Sequence, residues 1–262
     1  MNIVRFPGLG LELNIPKYLL EIGNLKIHMY AFCIVLGIVV GLVLARISKE
    51  KFGISFDTVL EIVIGSIIFG TIGARIYYVI FNLSEYLKEP LKIFDISSGG
   101  LAIYGGIIGI LIFIFIKCKK DKISFLDVCD YLVPYLALGQ AIGRFGNFFN
   151  IEAYGTETDS ILRMGIMKGS NYIEVHPTFL YEAICTFIIF IILKIMQKKR
   201  VFKGQILYLY FILYGFTRML IEPLRVDSLW IGNFRVSQVL SFVLFVAFLI
   251  IYCRKKFLCR KK

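Results

Sequence analysis

Seven apolar runs divide the chain, and short polar segments, several of them basic, separate the runs. They cover about Met29–Ile47, Thr58–Phe81, Gly99–Ile116, Phe125–Phe149, Pro177–Met196, Gly204–Glu222 and Phe234–Tyr252. Each approaches the roughly 20 residues that a helix needs to cross a hydrocarbon core about 30 Å thick. The fourth run is the weakest by hydropathy, because Asp127 and Asp130 lie in its first half. Ahead of the first run, residues 1–28 form an amphipathic lead-in with two prolines and several glycines, which reads as an arm on the membrane surface. A second polar stretch covers about Asn150–His176. The pattern predicts an all-α polytopic membrane protein. It has a surface arm at 1–28 and a seven-helix transmembrane domain at 29–262, with an outer-face polar segment at about 150–176.

Composition strengthens that picture. The 262 residues are 58% hydrophobic with a mean hydropathy of +0.78, too apolar for an ordinary soluble domain. In a soluble chain a net charge of +12 would suggest nucleic acid, but here the positive residues gather after alternate spans. Arg46, Lys49 and Lys51 follow the first span. Lys117, Lys119, Lys120 and Lys122 follow the third; Lys198, Lys199, Arg200 and Lys203 the fifth; and Arg254, Lys255 and Lys256 the seventh. The intervening loops are sparse in them. The positive-inside rule puts the C-terminus in the cytoplasm, the N-terminus outside and Trp230 at the outer interface. The bilayer is thus the expected partner, and no nucleic acid is expected. None of the six cysteines falls in an outer loop, and no Cys-x-x-Cys or Cys/His metal spacing occurs, so neither a disulfide framework nor a metal site is expected. The absence of an internal repeat removes support for a transporter, and the absence of lysine from Phe234–Tyr252 argues against a retinal pump.

The chemistry concentrates at the ends of spans that run inside to outside. In Gly139–Gly155, GQAIGRFGNFFNIEAYG, residues Gln140, Arg144 and Asn147 share one helical face. Gly139, Gly143 and Gly146 leave the adjacent face nearly bare for another helix. An arginine at membrane depth costs roughly 2.5–3.5 kcal/mol on insertion scales, which points to a purpose beyond topology. Arginine also grips phosphate through two parallel hydrogen bonds. Arg75 and Arg218 lie late in the second and sixth spans, and three arginines at similar depth favour a shared polar cavity over snorkelling to headgroups. Tyr214, Arg218, Glu222 and Arg225 follow one face of the sixth span, with Pro223 interrupting it; an Arg218–Glu222 pair serves either structure or ligand orientation. Tyr104 stands between glycine pairs in GGLAIYGG. His28 and Tyr30 open the first span, and His176, Tyr181 and Glu182 open the fifth, where a lone histidine is usually an interfacial cap.

Taken together these motifs resemble the prolipoprotein diacylglyceryl transferase family. The resemblance rests on IHMYAF, GARIYYVIF, GGLAIYGG, GRFGNFFNIEAYG, HPTFLYE and YGFTRMLIEPLR, in order over nearly the whole chain. It implies a bacterial inner-membrane enzyme, with its active site towards the outer leaflet and no metal or organic cofactor. It also implies that the enzyme moves the diacylglyceryl group of phosphatidylglycerol to a lipobox cysteine in the signal peptide of a prolipoprotein, releasing glycerol phosphate. Carried over by motif, Tyr104, Arg144 and Arg218 are the expected catalytic residues. Tyr30, Arg75, Asn147, Glu152, Gly155, Tyr181, Glu182, Glu222 and Arg225 are expected to bind substrate, and Asp130 also matches a family position. Many family members carry histidine, assigned as a base, where this chain has Tyr104. Tyrosine has an unperturbed pKa near 10 against about 6.5 for histidine. Either neighbouring arginines push Tyr104 towards ionisation, or it only hydrogen-bonds the substrate.

Overall fold

The computed structural model describes residues 2–23, 25–48, 52–96 and 99–260. Lys49 and Lys51 of the basic cluster after the first span, and Ser98 at the end of the second loop, lie outside the described residues. The chain is mostly helical. Its long helices are α1 (Met29–Ile47), α2 (Phe56–Phe81), α4 (Ile103–Lys120), α5 (Phe125–Asn150), α6 (Thr178–Lys198), α7 (Gln205–Ile221) and α8 (Val236–Arg260); α3 is a single turn at Leu83–Tyr86. Among the described residues six helical stretches are long and apolar enough to cross a membrane: α1, α2, α5, α6, Gln205–Leu224 and Val236–Cys259. These make it a multi-pass membrane protein. Against the expectation of seven spans, α4 is not among the six: it has 18 residues, and its last turn holds Lys117, Lys119 and Lys120.

The expectation of an all-α chain needs correcting between the helices. Among their described residues, the segments ahead of α1 and after α5 carry strands and a 3-10 turn at Pro7–Leu9, and they pair with each other through one strand of each. Strands β1 (Asn2–Phe6), β2 (Leu11–Ile15), β5 (Met164–Lys168) and β6 (Asn171–Val175) form an antiparallel sheet in the order β2-β1-β5-β6. Alternation along β1 turns Val4 and Phe6 inwards, where they pack with Ile15, Met164, Ile166, Val175 and Phe179. Strands β3 (Tyr18–Ile22) and β4 (Leu25–His28) make a hairpin that runs directly into α1, and β7 (Trp230–Ile231) with β8 (Phe234–Arg235) makes another before α8.

The chain divides into two compact units, Met1–Glu50 with Cys129–Lys262, and Lys51–Val128. In the smaller unit α2 packs along α4 through glycines. A Cβ at Gly73 would strike the Gly105 carbonyl, one at Gly105 the Gly73 carbonyl, and one at Gly109 the Phe69 carbonyl, so the helices meet backbone to backbone. In the larger unit Asp130, fully buried on α5, closes the start of α7. Its carboxylate accepts N–H bonds from Gly204 (2.7 Å), Ile206 (3.0 Å) and Leu207 (2.9 Å), and pairs with Arg200 at 2.7 Å. Those donors have no partner within the helix, so the carboxylate satisfies orphaned groups and ties α7 to α5.

Candidate active site

In the larger unit, α6, α7 and the end of α5 bring three arginines to one buried carboxylate. Glu182, one turn into α6, is 4% exposed. Its Oε1 accepts from Arg218 Nη1 and, at 2.8 Å, from Arg225 Nη1; its Oε2 lies 2.5 Å from Arg144 Nη2. Arg218 also reaches Glu222 Oε2 at 2.7 Å, the i,i+4 contact that the helical spacing predicts. The Arg144–Glu182 and Arg218–Glu222 contacts are close in distance but lack hydrogen-bond alignment. Beyond the 3-10 turn at Glu222–Leu224, which begins where Pro223 stops the helix, Arg225 donates twice to Asp227, Nε to Oδ1 at 2.9 Å and Nη2 to Oδ2 at 2.6 Å. Burial works against charge on Arg225, but Asp227 and Glu182 outweigh it and raise its pKa. Burial likewise opposes charge on Asp227, and the Arg225 bonds overcome it, holding the carboxyl below its ordinary value. Arg235 Nη1 donates to the carbonyls of Glu222 and Arg225 and to Ser228 Oγ. Arg144, Arg218 and Arg225 thus share Glu182, Glu222 and Asp227, while Arg235 is tied to the same turn through its carbonyls.

A second layer leads off Arg144. Its Nη1 donates to Asn147 Oδ1 at 3.2 Å, and Asn147 Nδ2 donates to Glu152 Oε1 at 2.9 Å. Glu152 sits in a tight loop with Ile151 and Ala153 at φ of 51° and 54°, a region that non-glycine residues rarely adopt. The loop is pinned by Glu152 N to Asn147 O (3.0 Å), Thr178 Oγ1 to Ala153 O, Gly155 N to His176 O (2.9 Å) and Thr156 N to Leu224 O (2.7 Å). Gly155 is pressed against His176, Leu224 and Thr178, so a side chain there would clash. Tyr30 packs on Gly146, one turn from Asn150, and Tyr181 Oη lies 3.2 Å from His176 Nδ1. Gln140, on the Arg144 face, accepts from Tyr210 Oη at 3.0 Å.

Two expected site residues belong to the smaller unit. Arg75 was expected to bind substrate, yet each of its five N–H donors is taken by a backbone carbonyl: Lys92 (2.5 Å), Ile93 (2.9 Å), Asp95 (2.8 Å), Gly99 (2.9 Å) and Gly100 (3.0 Å). It organises the loop ahead of α4 and has no donor left for a phosphate. Tyr104, in the first turn of α4, is 43% exposed. Of the glycines expected to leave a bare face on α5, Gly146 meets Tyr30, while a Cβ at Gly139 or Gly143 would meet nothing within 4 Å, although one added at Gly37 would touch the Gly139 backbone. Sequence reasoning passed over Asp227 and Arg235. Asp227 lies in a connection too short for helical periodicity to register, two residues past Arg225, and Arg235 stands at the start of the seventh apolar run, where it reads as a flanking charge.

A sequence model of the family described as prolipoprotein diacylglyceryl transferase matches residues 17–254. Three proteins named phosphatidylglycerol–prolipoprotein diacylglyceryl transferase are similar over most of their length. The one from Finegoldia magna is 43% identical over 237 residues, covering 90% of this chain and 94% of the relative. The one from Thermotoga maritima is 40% identical over 255 residues, covering 92% and 86%. The one from Bacillus cereus is 36% identical over 260 residues, covering 95% of each.

Proposed function

The chain belongs to the prolipoprotein diacylglyceryl transferase family, and we propose that it transfers the diacylglyceryl group of phosphatidylglycerol to the lipobox cysteine of prolipoproteins, the first step of lipoprotein maturation. The observation that carries the chemistry is the donor count at the arginine cluster. Among the described residues, Arg144 and Arg218 each make one aligned hydrogen bond and one unaligned charge contact, so both keep N–H donors for an incoming anion.

The cysteine sulfur attacks the glycerol carbon, the carbon–oxygen bond to phosphate breaks, and glycerol phosphate leaves with a second negative charge. Arg144 and Arg218 face that growing charge, which favours the transition state over the bound substrate. The same cation field lowers the pKa of the attacking thiol. Glu182, Glu222 and Asp227 hold the guanidiniums in place. Asn147 and Glu152 order the outer side of the site, while Tyr30, Gly155 and Tyr181 shape its wall. An apolar groove of about 410 Å³ between α5 and α6, lined by Ala141, Ile142, Phe145, Ala183, Ile184 and Phe187, lies beside Arg144 and Glu182 and suits an acyl chain. Tyr104 is read as a substrate-bonding or proton-handling residue.

The proposed setting is the bacterial cytoplasmic membrane. The fold has seven spans with α4 included, the N-terminus and the arginine cluster outside, the C-terminus inside and residues 1–28 along the outer surface. The charge alternation and the exposed Leu19, Leu20 and Ile22 of the β3–β4 hairpin support this arrangement. Purified protein incubated with phosphatidylglycerol and a lipobox peptide should yield a peptide heavier by one diacylglyceryl group. An unchanged peptide with hydrolysed or exchanged headgroup would replace this reading with another phosphatidylglycerol-using activity.

A further inference from the structure

We infer that Glu152 is the general base that accepts the proton of the attacking thiol, an inference that rests on the transferase reading above. Transfer breaks the S–H bond, forms an S–C bond at the glycerol carbon and breaks the C–O bond to phosphate, whose oxygen keeps the electron pair. One proton is released, and it needs an acceptor close to the sulfur.

Four carboxylates belong to the site, and three are committed. Glu182 meets three guanidiniums. Glu222 is 1% exposed and pairs with Arg218. Both oxygens of Asp227 accept from Arg225. Protonating any of these would leave a cation uncompensated, at high cost for the two buried ones. Glu152 differs. It is solvent-exposed, its Oε1 accepts one bond from the neutral Asn147 amide, and its Oε2 has no partner among the described residues.

Its position fits the task. Two hydrogen bonds, Glu152 to Asn147 and Asn147 to Arg144, separate it from a guanidinium assigned to the leaving phosphate. The thiol must approach the same glycerol carbon. The backbone holding it is strained on both sides, at Ile151 and Ala153, and is kept there by bonds from Glu152 N and Thr178 Oγ1. Strain retained by such over-determination is typical of functional sites. Among the described residues the Tyr104 hydroxyl makes no hydrogen bond, whereas Glu152 is bonded through Asn147 to Arg144.

The test compares a lipobox peptide with its selenocysteine counterpart, whose selenol is already ionised at neutral pH and needs no base. The wild-type protein should modify both; failure on the cysteine peptide would sink the transferase reading itself. Glu152→Gln keeps the acceptor for Asn147, and its phosphatidylglycerol affinity is measured alongside its turnover. Its turnover should drop by about 10²–10⁴-fold on the cysteine peptide and by less than about tenfold on the selenocysteine peptide. Equal losses on both peptides, or no loss on either, would overturn the assignment. Should Glu152→Gln fail to fold, Glu152→Asp serves instead: a displaced carboxylate should slow cysteine transfer more than selenocysteine transfer, and equal slowing overturns the proposal.

Discussion

Three arginines placed alike in the sequence part company over what their N–H groups have left to do. Arg75 spends all five on carbonyls, whereas Arg144 and Arg218 keep donors in reserve. Lysine keeps the charge but loses the planar fork, so Arg144→Lys and Arg218→Lys should each cut turnover by about 10²–10³, the usual cost of one transition-state donor. Phosphatidylglycerol affinity should fall much less, and near-normal turnover in both variants would return these arginines to topology. Glu182→Gln should act on stability instead, because three guanidiniums lose their shared partner; breaking a buried ion pair costs about 3–5 kcal/mol, readable as a lower melting temperature in detergent. Asp227 adds a pH signature. Its folded pKa is depressed, so its contribution is present above the unfolded value near 3.9 and is lost as pH falls through the folded value. The melting gap between wild type and Asp227→Asn should therefore be constant around neutrality and close below about pH 3.9. Much of this cluster was legible: helical spacing gave the Arg218–Glu222 pair and the Arg144 face. The convergence on Glu182 was not, because its three partners come from separate elements that no single periodicity relates.

Elements show the same division between what a local pattern reports and what distant pairing decides. The start of α1 and the ends of α1 and α2 fall where the apolar runs begin and stop, since span length and basic flanks are local properties. The sheet was invisible. β1 and β5 are far apart in sequence, and the short alternation in 1–28 reads equally as an amphipathic arm. Asp127 and Asp130 looked alike as blemishes on the fourth span, yet Asp130 is the cap of α7. Asp130→Ala should orphan three backbone N–H groups and Arg200 together, lowering stability by about 3–5 kcal/mol. Asp130→Asn, with the same shape, should lose less. Because α7 carries Arg218 at its far end, a shifted α7 should also show reduced turnover in whatever fraction remains folded. Full stability in Asp130→Ala would remove the capping role.

At the scale of the whole molecule the open quantity is the number of crossings, and α4 decides it. With α4 crossing, the basic clusters after α1, α4, α6 and α8 all fall on one side and the N- and C-termini on opposite sides. Without it, every loop after α2 changes side, and the cluster at Lys198–Lys203 faces outwards with the C-terminal one. Lysine-rich loops are retained in the cytoplasm, so the second arrangement sets the strongest charge signal of the sequence against the insertion rule. The lysines at the end of α4 do not forbid a crossing, because long basic side chains extend from a helix end to the headgroups. Single cysteines placed at positions 89, 121, 168 and 201, in a background without the six native ones, report this directly. An impermeant thiol reagent applied to intact cells should label positions 89 and 168 and spare 121 and 201. Labelling of position 201 from outside would overturn the seven-span frame. Equal labelling at 89 and 121 would localise the fault to α4, and the arginine cluster would then have to be sought on the inner face.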